Sequence, residues 1–144
     1  MSGIVCAVRG GPASQPTVSR SIALADETGL PLYFLYVVNL EFLDHTASSR
    51  THTISKEMAE MGEFILMAAQ AKAEAQGVQA QGVVRNGVVA EEIAELCHQI
   101  NADYLVIGQP QYQSDDNIFT AILHDEFIRR IETQTGARVV LPEE

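Results

Sequence analysis

The segment Leu32-Tyr33-Phe34-Leu35-Tyr36-Val37-Val38 is apolar at every consecutive position, so both faces of whatever it forms must be kept from water. A strand hidden on both faces needs helices above and below it, as the central strands of a parallel sheet have. Shorter apolar runs recur at Gly3-Ile4-Val5-Cys6-Ala7-Val8 and Tyr104-Leu105-Val106-Ile107-Gly108, and Ala137-Arg138-Val139-Val140-Leu141 reads as a final strand. Between the runs the apolar residues change to helical spacing. After the first run comes the turn Arg9-Gly10-Gly11-Pro12, then Ser14 as an N-cap and Pro16 in the first turn of a helix. Val18, Ile22 and Ala25 share one face of that helix, and Gly29 supplies a left-handed stop.

Residues 41–54, rich in Ser, Thr and His, read as a long surface loop. A helix over about residues 55–76 follows, with Met58, Met61, Ile65, Ala68 and Lys72 along one stripe and Gly77 as its end. Met58, Met61 and Met67 read as core filler, and Glu57, Glu60 and Glu63 as a solvated face. Residues 78–84 alternate weakly, as an edge strand does, and Asn86-Gly87 turns into a helix whose Glu91 and Glu92 complement its positive end. Ile93, Leu96, Cys97 and Ile100 face inward there. A polar loop over 109–117 leads to a last helix over about 119–135, with Ile122, Phe127 and Ile131 inward and Gly136 as its stop. The sum is β-α-β-α-β-α-β-α-β, a doubly wound α/β domain with a five-stranded parallel sheet and helices on both faces. The 144 residues suit a single domain over 1–144.

Composition excludes several functions. Hydrophobic residues at 47% and charged ones at 19% describe a globular chain, and no apolar run approaches the roughly 18 residues of a membrane helix. Nineteen acidic against nine basic side chains give a net charge of −10, spread over the chain, a field that repels nucleic acid and anionic lipid. Met1-Ser2-Gly3-Ile4-Val5 shows no basic region or signal core, so a cytoplasmic location is expected. Cys6 and Cys97, in a strand and a helix, read as small buried hydrophobes.

The assembled residues resemble the universal stress protein family over nearly the whole chain. Ile4-Val5-Cys6-Ala7-Val8-Arg9-Gly10-Gly11 resembles its opening strand and first phosphate-side loop, and Tyr33 to Val38 its second strand. The most specific match runs from Gly87 to Ala102-Asp103-Tyr104-Leu105-Val106-Ile107-Gly108. The resemblance implies the strand order 3-2-1-4-5 and a homodimer paired through the last strand, residues Ala137 to Leu141. Members that hold ATP carry Gly, two residues, Gly, nine residues, Gly, then Ser or Thr. Those glycines let backbone N–H groups approach phosphate oxygens at a helix start. Here Gly108 fills the first position, while Gln111, Ala121 and Ile122 stand at the other three. Arg9 stands where ATP-holding members place an Asp. The resemblance therefore implies an adenine-nucleotide cleft that has degenerated, holding nucleotide weakly or not at all.

A ligand in such a sheet lies beyond the carboxyl ends of the strands, where the strand order reverses. That places Arg9, Gly10, Gly11, the end of Val38, and Gly108 with Gln109 around one crevice, and Thr120 near the start of the last helix. Arg9 either supplies the charge of an anion site or pairs with a nearby carboxylate. Asp44, His45 and His52 make the only metal-like cluster and read as a solvated loop, and Asp115 with Asp116 as turn residues. The neighbours Cys97 and His98, and His124 and Asp125, diverge on their helices. No metal site and no catalytic constellation emerges. The expectation is a non-catalytic dimeric module with a regulatory or interaction role and a protein partner of unknown identity. A universal stress protein that binds ATP or AMP through an altered loop is the alternative.

Overall fold

A computed structural model describes residues 3–9, 14–38, 48–108 and 117–142. The elements are β1 (Ile4–Ala7), α1 (Gln15–Thr28), β2 (Leu32–Val38), α2 (Ser48–Ala75), β3 (Ala80–Asn86), α3 (Val89–Ile100), β4 (Tyr104–Val106), α4 (Asn117–Thr135) and β5 (Arg138–Val140). The five strands form one sheet in the order β3-β2-β1-β4-β5, and every adjacent pair is parallel. The doubly wound expectation holds, including the strand order.

Period-two alternation divides the apolar runs between two cores. Ile4, Cys6, Leu32, Phe34, Tyr36, Val38 and Val106 point to the side that α1 and α2 cover. Val5, Leu35 and Leu105 point the other way, beneath α3 and α4. In β1, Ile4, Val5 and Cys6 have no exposed surface at all, which is why the strand has no polar face. No helix among the described residues is long and apolar enough to cross a membrane.

Glycine ends three of the helices or their turns as expected, with φ of 72° at Gly29, 79° at Gly77 and 76° at Gly136. Other boundaries differ. Ser14 does not cap α1; its hydroxyl instead accepts the Arg9 N–H at 3.3 Å. The helix expected from residue 55 begins at Ser48, so the later part of the expected loop is helical and 41–47 lie outside the described residues. Ser-Ser-Arg-Thr-His-Thr contains no Gly or Pro. Extending a formed helix through such residues costs only tenths of a kcal/mol each, about 0.5 at most relative to alanine. The edge strand begins at Ala80 rather than 78, because Val78 is spent closing the α2 turn with its N–H on the Ala73 carbonyl at 2.9 Å.

The buried stripe of α2 also differs. Gly62, Leu66, Ala69 and Ala73 face the sheet, with Met58, Ala59 and Ile65 beside them, while Met61 and Met67 are exposed and are not core. Apolar residues occur on both sides of this helix, so periodicity does not choose between them. The small side chains do, because α2 lies close on β2 and the Tyr36 ring occupies the space where a Gly62 Cβ would stand.

Two predictions follow from the packing. Alanine in place of an interior helical glycine ordinarily stabilises by about 1 kcal/mol, and overpacking costs about 1–3 kcal/mol. Gly62→Ala is therefore expected to lower the urea midpoint, and a raised midpoint contradicts the contact with Tyr36. Burial pushes both thiols up from 9.0 to about 12, slightly offset at Cys6 by a hydrogen bond with Ser21. The unfolded chain then loses these protons first as pH rises, so stability declines from about pH 9 towards about 12. The Cys6→Ala, Cys97→Ala double variant should lose stability less steeply across that window, measured by urea unfolding.

Candidate functional site

The strand order reverses at β1, which pairs with β2 on one side and β4 on the other. Helices leave β1 and β4 towards opposite faces, the arrangement in which open α/β sheets hold ligands above the carboxyl ends of the strands. The Val8 N–H donates to Leu35 at 2.9 Å, carrying the pairing one residue past β1 and delivering Arg9 to the rim, exposed. On β4 the Ile107 N–H donates to Val140 at 3.2 Å and sets Gly108 at the opposite rim.

The first turn of α1 forms the floor between them. Thr17 is 2% exposed, and its hydroxyl makes no hydrogen bond among the described residues. A Cβ built on Gly108 would stand 3.2 Å from the Thr17 Oγ1, so the glycine lets the β4 backbone close over that hydroxyl. A buried hydroxyl without a partner costs stability, and a ligand oxygen or water at this point would satisfy it. The side chain of Ser14 makes no cap bond to α1, whose amino end carries the positive pole of the helix dipole. Arg9 makes no ion pair among the described residues, so the carboxylate-paired alternative for it is not observed. A cationic guanidinium, a helix start and a hydroxyl without a partner among the described residues are together the chemistry that suits a small anion.

The remaining expected site residues divide. Val38 ends β2 with its side chain buried and its carbonyl accepting the Gly87 N–H at 3.0 Å. Thr120 lies in the first turn of α4, as expected for a residue near a helix start. Gly10, Gly11 and Gln109 lie outside the described residues, as do Asp44, His45, Asp115 and Asp116. His52 lies within α2 rather than in a loop. Among the described residues no group of metal-ligating side chains gathers. Cys97 is buried and His98 exposed, so they make no dyad. Thr17 escaped the sequence reading; its signal was a hydroxyl directly after the helix-initiating Pro16.

A cavity of about 610 Å³ opens at the other end of the sheet, between the ends of α1 and α2. It is lined by Asp26, Glu74, Tyr33 and Gln79 and by the stop glycines Gly29 and Gly77. Two helix carboxyl ends and two carboxylates make its field negative, which disfavours phosphate. The charge of this cavity therefore suits an anion less well than the rim where Arg9 stands.

Comparison with known proteins agrees with this architecture. The model of the universal stress protein family matches residues 1–119. Universal stress protein MJ0531 of Methanocaldococcus jannaschii is 30% identical over 106 residues, covering 73% of this chain and 62% of that protein. The chain thus spans less than two thirds of that relative's length. The structure of universal stress protein UspA from Lactobacillus plantarum superposes with a TM-score of 0.76 at 15% identity, covering 99% of this chain and 97% of the other. A universal stress protein in complex with cAMP superposes with a TM-score of 0.70 at 16% identity, with coverages of 99% and 97%. At these identities the superpositions establish the fold.

Thr17→Val removes the unpartnered hydroxyl and keeps the shape. Without ligand the variant should melt at or above the wild-type temperature. A loss of more than about 1 kcal/mol would instead mean that the hydroxyl is satisfied within the folded chain.

Proposed function

Because this chain belongs to the universal stress protein family, we propose that it is a non-catalytic, homodimeric module acting in the cytoplasm. Its crevice holds a small anion or the monophosphate of an adenine nucleotide, weakly, in a regulatory or interaction role. The carrying observation is the constellation at the switch point, with exposed Arg9, the buried Thr17 hydroxyl and Gly108 closing over the start of α1. One phosphate needs only these groups. A triphosphate needs the longer glycine-rich cradle, and Gln111, Ala121 and Ile122 stand in three of its four positions. Both thiols are pushed up to about 12 by burial, so neither serves as a nucleophile near neutral pH.

A second reading, a genuine adenine-nucleotide receptor with an altered phosphate loop and slow ATP hydrolysis, is favoured by the similarity to the protein complexed with cAMP.

The homodimer is proposed to pair through β5, the sheet edge formed by Arg138–Val140 within the expected strand Ala137 to Leu141. Edge strands carry unpaired backbone groups that a second copy can complete. The Arg138 N–H faces inward to Asp103 at 2.9 Å, while the Val139 N–H is held at 3.1 Å by Glu132 of α4. Pairing therefore exchanges this carboxylate for ladder bonds. Any protein partner of the module is of unknown identity, and neither nucleic acid nor membrane suits its charge of −10.

Thermal melting tests the ligand. A ligand at about 100 times its dissociation constant adds about 2.7 kcal/mol, which raises a domain of this size by several degrees. AMP or cAMP should raise the melting temperature more than Mg-ATP does, and Arg9→Asp should remove the shift. A larger shift with Mg-ATP, accompanied by phosphate release, would overturn this reading in favour of the receptor. For the dimer, Glu132→Ala should tighten β5 pairing and Val139→Pro should abolish it, by analytical ultracentrifugation. Equal dissociation constants for both variants and the wild type contradict pairing at this edge.

A further inference from the structure

The outer face of α2 carries Met61, Phe64 and Met67 at 59%, 74% and 67% exposure, and among the described residues large apolar side chains are otherwise rarely exposed. Ala68 and Ala71 continue the same face towards the carboxyl end of the helix and are also exposed. At 3.6 residues per turn these five positions fall within about 120° of the helix circumference, opposite the buried Gly62, Leu66, Ala69 and Ala73. A contiguous exposed apolar stripe of this kind marks a contact surface.

The charges around the stripe decide what covers it. Lys56 and Glu74 lie ~5 full turns apart, hence on the same flank, while Lys72 lies on the other flank and Glu57 near the middle of the stripe, beyond one end of the apolar residues. The sequence midpoint of each pair falls beside Phe64, the centre of the apolar triad. A two-fold axis through that centre, perpendicular to the helix and lying in the plane of contact, sets the two helices antiparallel, preserves the flank and reverses the height. It therefore sets Lys56 against the partner's Glu74, and Glu57 against the partner's Lys72, each contact occurring twice. Met61 then lies opposite the small side chain of the partner's Ala68. Lys56, Glu57 and Glu74 make no ion pair among the described residues, and Lys72 reaches only the neutral Gln15 and Ser19 at 3.1 and 2.8 Å. A lipid surface is disfavoured, because Glu57, Glu60 and Glu63 line the same helix.

We propose that the exposed face of α2 is a self-association surface, on which a second copy of this chain lays its own α2 antiparallel, centred on Phe64 and registered by the Lys56–Glu74 and Glu57–Lys72 pairs. This surface is independent of the nucleotide reading and of pairing through β5. α2 packs over β2 and β3, at the sheet edge remote from β5, so both contacts can be made by one chain. Where both form, two-fold contacts on opposite edges join pairs into larger assemblies.

The test uses the full chain in the Val139→Pro background, which isolates α2 from β5, with circular dichroism as the check that each variant is folded. The Phe64→Cys variant should form disulfide-linked dimers on mild oxidation, against the inert background of buried Cys6 and Cys97. Should Val139→Pro not fold, the same cross-link is sought in the wild-type background, where a β5 contact does not bring residue 64 to its copy. By ultracentrifugation, Glu57→Lys and Lys72→Glu should each weaken the pair roughly tenfold and the double variant should restore it. Phe64→Asp should leave monomers. Absence of the cross-link, or a double variant no tighter than the single ones, overturns the proposal. Binding of wild type to phosphatidylcholine vesicles without self-association also overturns it, assigning the stripe to lipid.

Discussion

Complete burial of β1 is the constraint on which the rest of this structure depends. A strand with no exposed surface at Ile4, Val5 or Cys6 must be paired on both edges and covered on both faces. β2 and β4 supply the edges, and the two apolar cores supply the faces. Because β1 is both first in the chain and central in the sheet, the chain must leave it in one direction and return to its other side later. That return creates the reversal of strand order, and the reversal creates the crevice. The site is a consequence of how the central strand is buried rather than a feature added to the fold.

The same packing determines which chemistry the crevice supports. Carrying β1 one residue further places Arg9 at the rim, and the following helix brings its positive end and the Thr17 hydroxyl beneath. At the opposite end of the sheet the helices stop at Gly29 and Gly77, where their negative ends join Asp26 and Glu74. The two ends of the sheet thus differ in charge, with Arg9 and a helix start at one end and two helix carboxyl ends with two carboxylates at the other.

Much of this was legible in the sequence because burial on two faces leaves a mark no other environment leaves. The run from Leu32 to Val38 and the stop at Gly29 translate almost residue for residue into β2 and the end of α1. The strand order did not come from spacing; it came with the resemblance to universal stress proteins. What was not legible depends on contacts between distant residues. Met61 and Met67 read as core because an apolar residue on a helix usually is, and only the fit of Gly62 against Tyr36 shows which side α2 turns inward. Thr17 and Gly108 are 91 positions apart in sequence, so nothing local announces that the glycine exists to accommodate the hydroxyl.

The most direct test of the account is a titration of isotopically labelled protein with AMP, followed by backbone amide NMR. The account predicts that the amides of Arg9, Gln15, Thr17 and Gly108 shift together and saturate with one dissociation constant, while those of Gly29, Gly77 and Gln79 stay in place. Shifts confined to Gly29, Gly77 and Gln79 would put the ligand in the opposite cavity and contradict the polarity on which the functional reading rests.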